Sequence, residues 1–119
     1  MYTSNYKDLK IWQKSLDLCQ IIYSLVKVLP MEERYCLSDQ MRRAVISIPS
    51  NIAEGEGRGS KKEFIYFLNI ARGALCEVES QCIVAERLGL LSKSDITPAL
   101  ALCAEIGRMI RSLIQKNQM

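Results

Sequence analysis

Apolar residues recur at alternating steps of three and four in four separate segments, and this spacing constrains the fold more than any other feature. The first segment carries Leu9, Trp12, Leu16, Cys19, Tyr23 and Val26 in this order, and Ile22 and Leu25 broaden the apolar stripe. Such steps keep side chains on one face of an α-helix and are typical of helices packed nearly parallel to their neighbours. No segment alternates between apolar and polar residues as a half-buried strand would. The sequence therefore predicts an all-α fold.

Proline and glycine positions divide the chain into four predicted helices. Pro30 ends the first helix, because a proline disfavours the helical conformation of the residue before it. We expect Ser38 to cap the start of the second helix. Pro49 lies inside the second apolar pattern, which continues on both sides, so we expect a kink there and not an end. Three glycines within residues 55–59 predict a tight reversal at the end of this helix.

The last two helices have capping signals of their own. Ser60 and Glu63 fit a capping box at the start of the third helix. Thr97 with Pro98 fits the N-cap and first position of the fourth helix, and an earlier start at Ser94 is the alternative. The four predicted helices span about 8–29, 38–55, 60–88 and 95–116. Short links make consecutive helices antiparallel. We expect a single domain, residues 1–119, folded as an antiparallel up-down-up-down four-helix bundle.

The predicted cores of the later helices are apolar rows of the same kind. The second helix has Met41, Val45, Ile48 and Ile52, and the third has Phe64, Phe67, Ala71, Leu75, Val78, Cys82, Ala85 and Leu88. The fourth has one row of Leu100, Cys103, Gly107, Ile110 and Ile114, and a second of Leu102, Ile106, Met109 and Leu113. Two rows exceed what one bundle interior requires. This surplus predicts self-association through the fourth helix.

The residue inventory disfavours catalysis, metal binding and membrane insertion. The chain has no histidine and five irregularly spaced cysteines, so it lacks the usual ligands of bundle metal sites and the commonest general base. An all-carboxylate site from Glu54, Glu77 and Glu105 is the remaining metal alternative, and we do not favour it. Residues 1–10 resemble no signal sequence, and charged residues interrupt residues 11–29. We therefore predict a cytoplasmic, non-enzymatic protein that needs no cofactor and does not contact a membrane.

Basic residues gather near the two chain ends and at the glycine-rich turn. The net charge of +3 is only mildly basic. The topology brings the start of the first helix and the end of the fourth to one end of the bundle, and we place the glycine-rich turn at the opposite end. Such clusters either bind phosphate groups of a nucleic acid or are merely solvated. The candidates for nucleic-acid binding are Lys10, Lys14, Arg108, Arg111 and Lys116, with Arg58, Lys61 and Lys62 at the turn.

A second set of polar residues interrupts the apolar pattern of the second and third helices. Glu54 or Glu77 is expected to pair with Arg72 or Arg43, inside the bundle or between subunits, and contact with a ligand or partner is the alternative. Gly73 follows Arg72, and a mid-helix glycine suggests close packing against another backbone. The structural or interface candidates are Arg42, Arg43, Ser47, Asn51, Glu54, Arg72 and Glu77.

Four short motifs are specific enough to compare with a known family. They are Leu9-x-x-Trp12-Gln13-Lys14, Gln40-Met41-Arg42-Arg43-Ala44, Ser47-Ile48-Pro49-x-Asn51-Ile52-Ala53-Glu54-Gly55 and Phe64-x-x-Phe67-Leu68-x-Ile70-Ala71-Arg72-Gly73. These motifs resemble the family of four-helix bundle proteins also called 23S ribosomal RNA intervening-sequence proteins. The resemblance implies a bacterial cytoplasmic protein that forms a ring-like homopentamer. A related branch, the accessory variability determinant of diversity-generating retroelements, works with a reverse transcriptase through a basic surface.

Together these features predict a non-enzymatic, self-assembling bundle that binds RNA or DNA weakly through basic surface patches. The alternative is a protein–protein interaction scaffold with no nucleic-acid role, for example one that accompanies a reverse transcriptase or another partner protein.

Overall fold

The computed structural model describes residues 5–119 and confirms the all-α fold. Its helices are α1 (Lys10–Val28), α2 (Leu37–Gly57), α3 (Lys61–Arg87) and α4 (Lys93–Asn117). Single 3-10 turns at Tyr6–Asp8 and Met31–Glu33 precede α1 and α2, and residues 5–119 contain no strand. The predicted bounds differ from these by at most two residues. The first four residues of the predicted domain lie outside the described part of the chain.

The four helices pack in sequence order around one core, and α4 closes the bundle against α1. Neighbours run antiparallel: Gly55 near the end of α2 packs on Phe67 near the start of α3, while Gln81 near the end of α3 donates to the Gln40 carbonyl near the start of α2. The bundle measures 50 × 22 × 21 Å. Its length follows from α3, whose 27 residues extend about 40 Å at 1.5 Å per residue.

The core face of α1 differs from the prediction. The predicted residues Ile22, Leu25 and Val26 are buried, but the rest of the buried row of α1 is Ile11, Ser15 and Leu18. Leu16 and Tyr23 of the predicted row are each 39 % exposed. The two rows are adjacent and equally periodic. A serine in the true row made it look polar, but the Ser15 hydroxyl donates to the Trp12 carbonyl at 2.6 Å. This bond satisfies the hydroxyl and allows its full burial.

The rows of the other helices are largely confirmed. All four predicted residues of α2 are buried, as are Cys103, Gly107, Ile110 and Ile114 of α4. In α3, Leu68 is fully buried without having been predicted, and Leu88 is 63 % exposed in spite of the prediction.

The predicted surplus on α4 is wrong. Ile106 of the second row is fully buried, and Leu102, Met109 and Leu113 pack against the core as partly buried side chains. Leu9 and Ile11 of α1 line one surface cleft together with Met109 and Leu113. The second row of α4 is therefore the contact between α4 and α1, which closes the bundle.

Two of the predicted caps are wrong and one is half formed. The second helix begins at Leu37, one residue before Ser38, whose side chain is buried. The Ser60 hydroxyl accepts from the Glu63 N–H at 3.1 Å, as a capping box requires. The Glu63 carboxylate does not return to the backbone of Ser60 and instead contacts Arg58.

The fourth helix begins earlier than predicted. Ser92 and Asp95 form a reciprocal capping box, which satisfies two N–H groups at once. Thr97 and Pro98 therefore lie inside the helix, where the Thr97 hydroxyl donates to the Lys93 carbonyl at 2.7 Å.

The segment from Pro49 to Gly59 contains both a confirmed and a corrected prediction. The second helix continues through Pro49, as the apolar pattern indicated, and ends at Gly57. Gly59 has φ +74° and makes the reversal. Gly55 belongs to the helix and not to the turn, and it is buried. Its role is to let α2 approach α3, because a Cβ there would lie 2.7 Å from Cβ of Phe67.

Candidate nucleic-acid interface

The structure brings the predicted basic residues to the same end of the bundle. Leu9, beside Lys10, lines one cleft together with Lys61 of the α2–α3 turn and Asn117 at the end of α4. The glycine-rich turn is thus at the end where α1 begins, and its predicted place at the opposite end is wrong. Four of the exposed lysines near this end were predicted contacts, and we call this the basic end: Lys10, Lys61, Lys62 and Lys116.

Two of the predicted nucleic-acid contacts are already paired with acids. Lys14 contacts Glu105 of α4 at 3.0 Å. Arg58 contacts Glu54 at 2.9 Å and Glu63 at 3.3 Å, and its guanidinium carbon lies 5.0 Å from the centre of the Phe67 ring. A phosphate would have to displace these carboxylates. Arg58 therefore holds the α2–α3 turn together, and Lys14 links α1 to α4.

Three arginines line a groove between α3 and α4, which we call the arginine groove. Arg72 of α3 faces Arg108 and Arg111 of α4 across about 290 Å³ of space. All three residues are exposed. No carboxylate of residues 5–119 lies within 4.0 Å of their guanidinium groups, in contrast to Arg43 and Arg58. The sequence placed Arg108 and Arg111 at the bundle end and treated Arg72 as the partner of an acid.

The remainder of the groove is apolar, apart from Glu79. Its other lining residues are Leu75, Cys76, Glu79, Cys103, Ala104 and Gly107. Burial, together with the smaller effect of the nearby Glu79 carboxylate, raises the pKa of the Cys103 thiol to about 12. The thiol is therefore neutral at physiological pH and serves as an apolar surface. The groove thus combines three cations, one carboxylate and an uncharged floor.

The other polar residues that the sequence singled out form local contacts. Asn51 donates to both the carbonyl and the hydroxyl of Ser47, at 2.8 and 2.9 Å. Arg43 contacts Asp39 at 3.1 Å. Within one chain, residues 5–119 do not show the expected pairing of Glu54 or Glu77 with Arg72 or Arg43: Glu54 contacts Arg58, and Asp39 contacts Arg43. The same pairing between subunits stays a prediction.

The remaining structural candidates lie outside the arginine groove, in one other surface groove and on the outward face of α3. Arg42, Arg43 and Ser47 line a surface groove of about 480 Å³ together with Tyr23 and Ile46. Glu77 is exposed on the outward face of α3.

The outward face of α3 carries an apolar row that sequence reasoning missed. Tyr66, Ile70, Val84 and Leu88 are between 39 % and 63 % exposed, and Gly73 has no atom within 4 Å of the place where its Cβ would be. We call these five residues with Glu77 the α3 stripe. Their spacing of 4, 3, 4, 7 and 4 residues is helical and present in the sequence. The inward row of the same helix has more apolar residues, so only that row was assigned from the sequence.

The described residues form neither a metal-ligand cluster nor a membrane-spanning helix. Across residues 5–119, no three Cys, Asp or Glu side chains converge as metal ligands would. None of the described helices is both long enough and apolar enough to cross a bilayer. All five cysteines are free, and Cys82 and Cys103 are buried as the apolar positions of the sequence indicated.

Comparison with known proteins agrees with the bundle architecture. The chain is similar to a crystal structure of a protein of unknown function from the S23 ribosomal protein family of Bacteroides thetaiotaomicron VPI-5482, with 30 % sequence identity and a TM-score of 0.80. The match covers 87 % of this chain and 97 % of that one. A search of curated proteins gave no match. Residues 7–112 match the family model described as the 23S rRNA-intervening sequence protein. The chain therefore belongs to the 23S rRNA-intervening sequence protein family.

Proposed function

We propose that this chain is a non-enzymatic, self-assembling helical bundle of the bacterial cytoplasm that binds RNA or DNA through backbone phosphates. The arginine groove is the principal contact, and the lysines of the basic end extend it. The observation that carries the proposal is the convergence of Arg72, Arg108 and Arg111 on one groove, with no carboxylate of the described chain within 4.0 Å.

The groove arginines are favoured over the paired cations because binding a phosphate does not require them to give up a carboxylate partner. A guanidinium group matches a phosphate with two parallel N–H···O bonds. An arginine already paired with an acid, such as Arg58, would exchange one anion for another and gain little. The three groove arginines have no such pair to break. Each phosphate that they neutralise releases counterions, so the affinity must fall steeply with salt.

The test is a titration of a structured RNA with the native chain and with an Arg108→Ala/Arg111→Ala variant, followed by fluorescence anisotropy. The variant is expected to bind more weakly and to lower the slope of log K against log salt by about 1.5 to 2. The matched control is Lys27→Ala/Lys93→Ala. It removes the same charge from exposed positions at the other end of the bundle. Equal losses in both variants, or no binding at about 50 mM salt, would refute the proposal.

Self-assembly rests on the α3 stripe. Its heptad-like spacing is that of a helix packed along a second helix, and Gly73 leaves open space for the backbone of that helix. We propose that the occupant is a second copy of this chain. A second apolar patch, Leu16, Tyr23 and Ile46, is exposed on α1 and α2. A stripe on one face and a patch on another would form a head-to-tail contact, which gives a ring if the rotation between copies closes and an open filament if it does not. Five subunits is the number that the family resemblance implies, and it is part of this proposal.

Light scattering with two isoleucine variants of α3 tests the assembly. Ile70→Asp places a charge in the stripe and is expected to give monomers. Ile83→Asp is the matched control, because Ile83 is similarly exposed (47 % against 39 %) but lies about 140° around the helix. If the native chain is monomeric at micromolar concentration, or if Ile83→Asp alone dissociates it, self-assembly through the stripe is refuted.

The α3 stripe also favours the alternative function, an interaction scaffold for a protein partner without nucleic acid. Apolar contacts persist at high salt, whereas phosphate contacts do not. A partner retained at a salt concentration that releases all RNA, and released by Ile70→Asp, would support the scaffold in place of the RNA-binding role.

A further inference from the structure

The lining of the arginine groove contains more than an anion site requires. Its floor is made of Leu75, Cys103, Ala104 and Gly107. An inorganic phosphate or a backbone phosphate gains nothing from apolar surface. The groove has room for about ten water molecules at roughly 30 Å³ each, which is more than one phosphate group fills.

Small residues of α4 create this space. Ala104 and Gly107 lie one helical turn apart, on the side of α4 that faces the groove. A Cβ at Gly107 would be 3.5 Å from Cδ2 of Leu75, in ordinary contact. A longer side chain at either position would therefore extend into the groove. The depth of the groove depends on the absence of such side chains.

The groove is also chemically different at its two ends. Arg72 and Glu79 are seven residues apart on α3, hence about 10 Å apart along the helix axis. Because α4 runs antiparallel, Arg111 and Arg108 accompany Arg72, while Cys103 accompanies Glu79 and has its pKa raised by that carboxylate. Cations thus occupy one end, and an acceptor-only carboxylate occupies the other.

We infer that the arginine groove binds one unpaired nucleotide of single-stranded RNA, with the phosphate at the arginines, the nucleoside on the apolar floor and a hydroxyl or amino group donating to Glu79. This inference rests on the proposed function and specifies its ligand. A paired base is stacked inside its duplex and cannot enter a recess between two helices. An unpaired base can be extruded into such a recess, which is the usual mode of RNA recognition in loops and bulges. The described lining of the groove has no aromatic side chain, so contact with the apolar floor and stacking on an arginine guanidinium plane would compensate only in part for the base stacking that is lost.

The experiment compares binding of the full chain to a single-stranded RNA and to the same RNA annealed to its complement. Ala104→Leu fills the groove from an exposed position and changes no charge, so folding and long-range electrostatics are preserved. It is expected to weaken binding of the single strand about tenfold and to leave duplex binding unchanged. Gly107→Val is a second variant with the same expected effect, and far-UV circular dichroism shows whether it remains folded.

Competition with small ligands tests the orientation in the groove. Adenosine 5′-monophosphate is expected to displace the single strand at a lower concentration than inorganic phosphate does. Glu79→Ala should reduce this ratio, because it removes the acceptor for the nucleoside and one repulsion from phosphate. Equal displacement by the two ligands would overturn the inference.

The failure of this inference is distinguishable from failure of the proposed function. If Arg108→Ala/Arg111→Ala weakens binding of both RNAs while Ala104→Leu and Gly107→Val weaken neither, the groove contacts phosphates only and the nucleotide pocket is refuted. If neither RNA binds the native chain at about 50 mM salt, the proposed function fails as well.

Discussion

Gly55 marks the closest approach of α2 to α3, and replacing it with alanine tests the packing of the bundle directly. The added Cβ would lie 2.7 Å from Cβ of Phe67, 3.2 Å from Cδ1 of Phe64 and 3.4 Å from the Phe64 carbonyl oxygen. Carbon atoms in favourable contact are about 3.5 to 4.0 Å apart. The Phe67 Cβ is attached to the backbone of α3, so no change of rotamer relieves the contact. The two helices must separate by about 0.8 Å at least.

Two effects of opposite sign determine the magnitude. Alanine stabilises a helix interior by about 1 kcal/mol relative to glycine. Overpacking a tight site costs about 1 to 3 kcal/mol. Since the contact involves backbone-attached atoms, we expect the upper part of this range and a net loss of about 1 to 2 kcal/mol. For a domain of this size the loss corresponds to a decrease in Tm of about 4 to 8 °C.

Gly73→Ala is the matched control, because Gly73 is also helical but has no atom within 4 Å of its Cβ position. Within one subunit only the helix propensity changes, so we expect a gain of about 1 kcal/mol at protein concentrations low enough to keep the chain monomeric. Urea and thermal unfolding followed by far-UV circular dichroism measure both variants, at several protein concentrations because assembly makes Tm concentration-dependent. An increase in Tm for Gly55→Ala as large as that for Gly73→Ala would show that α2 and α3 are not in contact at Gly55.

Three further predictions concern thiols and caps. Iodoacetamide at about pH 8 should modify the exposed Cys36 and Cys76 before the other three thiols, as peptide mass mapping would show; equal rates at all five would contradict this. Burial raises the pKa of Cys82 to about 11 and that of Cys103 to about 12, from ordinary values of 9.0. The stability that these protonated thiols contribute is therefore complete below pH 9 and is lost as the pH rises toward 12. We expect the midpoint of urea unfolding to decrease between pH 8 and pH 10.5. A constant midpoint would contradict this expectation. Ser92→Ala removes the capping box of α4 and should cost about 1 kcal/mol in urea unfolding; an unchanged midpoint would show that the cap contributes nothing.

The number, order and length of the helices could be predicted because they depend on local signals. Periodic apolar residues and Pro30 each act within a few residues of the chain. The rotation of each helix about its axis could not be predicted in the same way, because it depends on contacts with other helices. In α1 the rows containing Leu16 and Leu18 are both apolar, and only packing against α2 and α4 decides which is buried. Ser15 made the correct row look polar, because its hydrogen bond to Trp12 is not visible in the sequence.

The candidate site could be predicted only in part, for the same reason. Arg108 and Arg111 were identified as basic residues without nearby acids. Arg72 is 36 positions before Arg108, and whether it turns toward α4 or toward an acid depends on the rotation of α3. The pairing of Lys14 with Glu105 depends likewise on the contact between α1 and α4. The end of the bundle that carries Lys61 follows from up-down-up-down order alone, since the second link returns to the end where α1 begins.

The two proposed surfaces of α3 can act together because they lie on different faces of the helix. Arg72 and Ile70 are two residues apart, hence about 160° apart around the helix axis. A second copy packed on the α3 stripe therefore leaves the arginine groove open to RNA. One groove with three cations gives weak, salt-sensitive binding on its own. A ring repeats the groove once per subunit, and an RNA long enough to reach several grooves binds them at high effective concentration, which multiplies the affinity without any new contact. Assembly and RNA binding are then one property, and Ile70→Asp should weaken binding of a long RNA although Ile70 lies outside the groove.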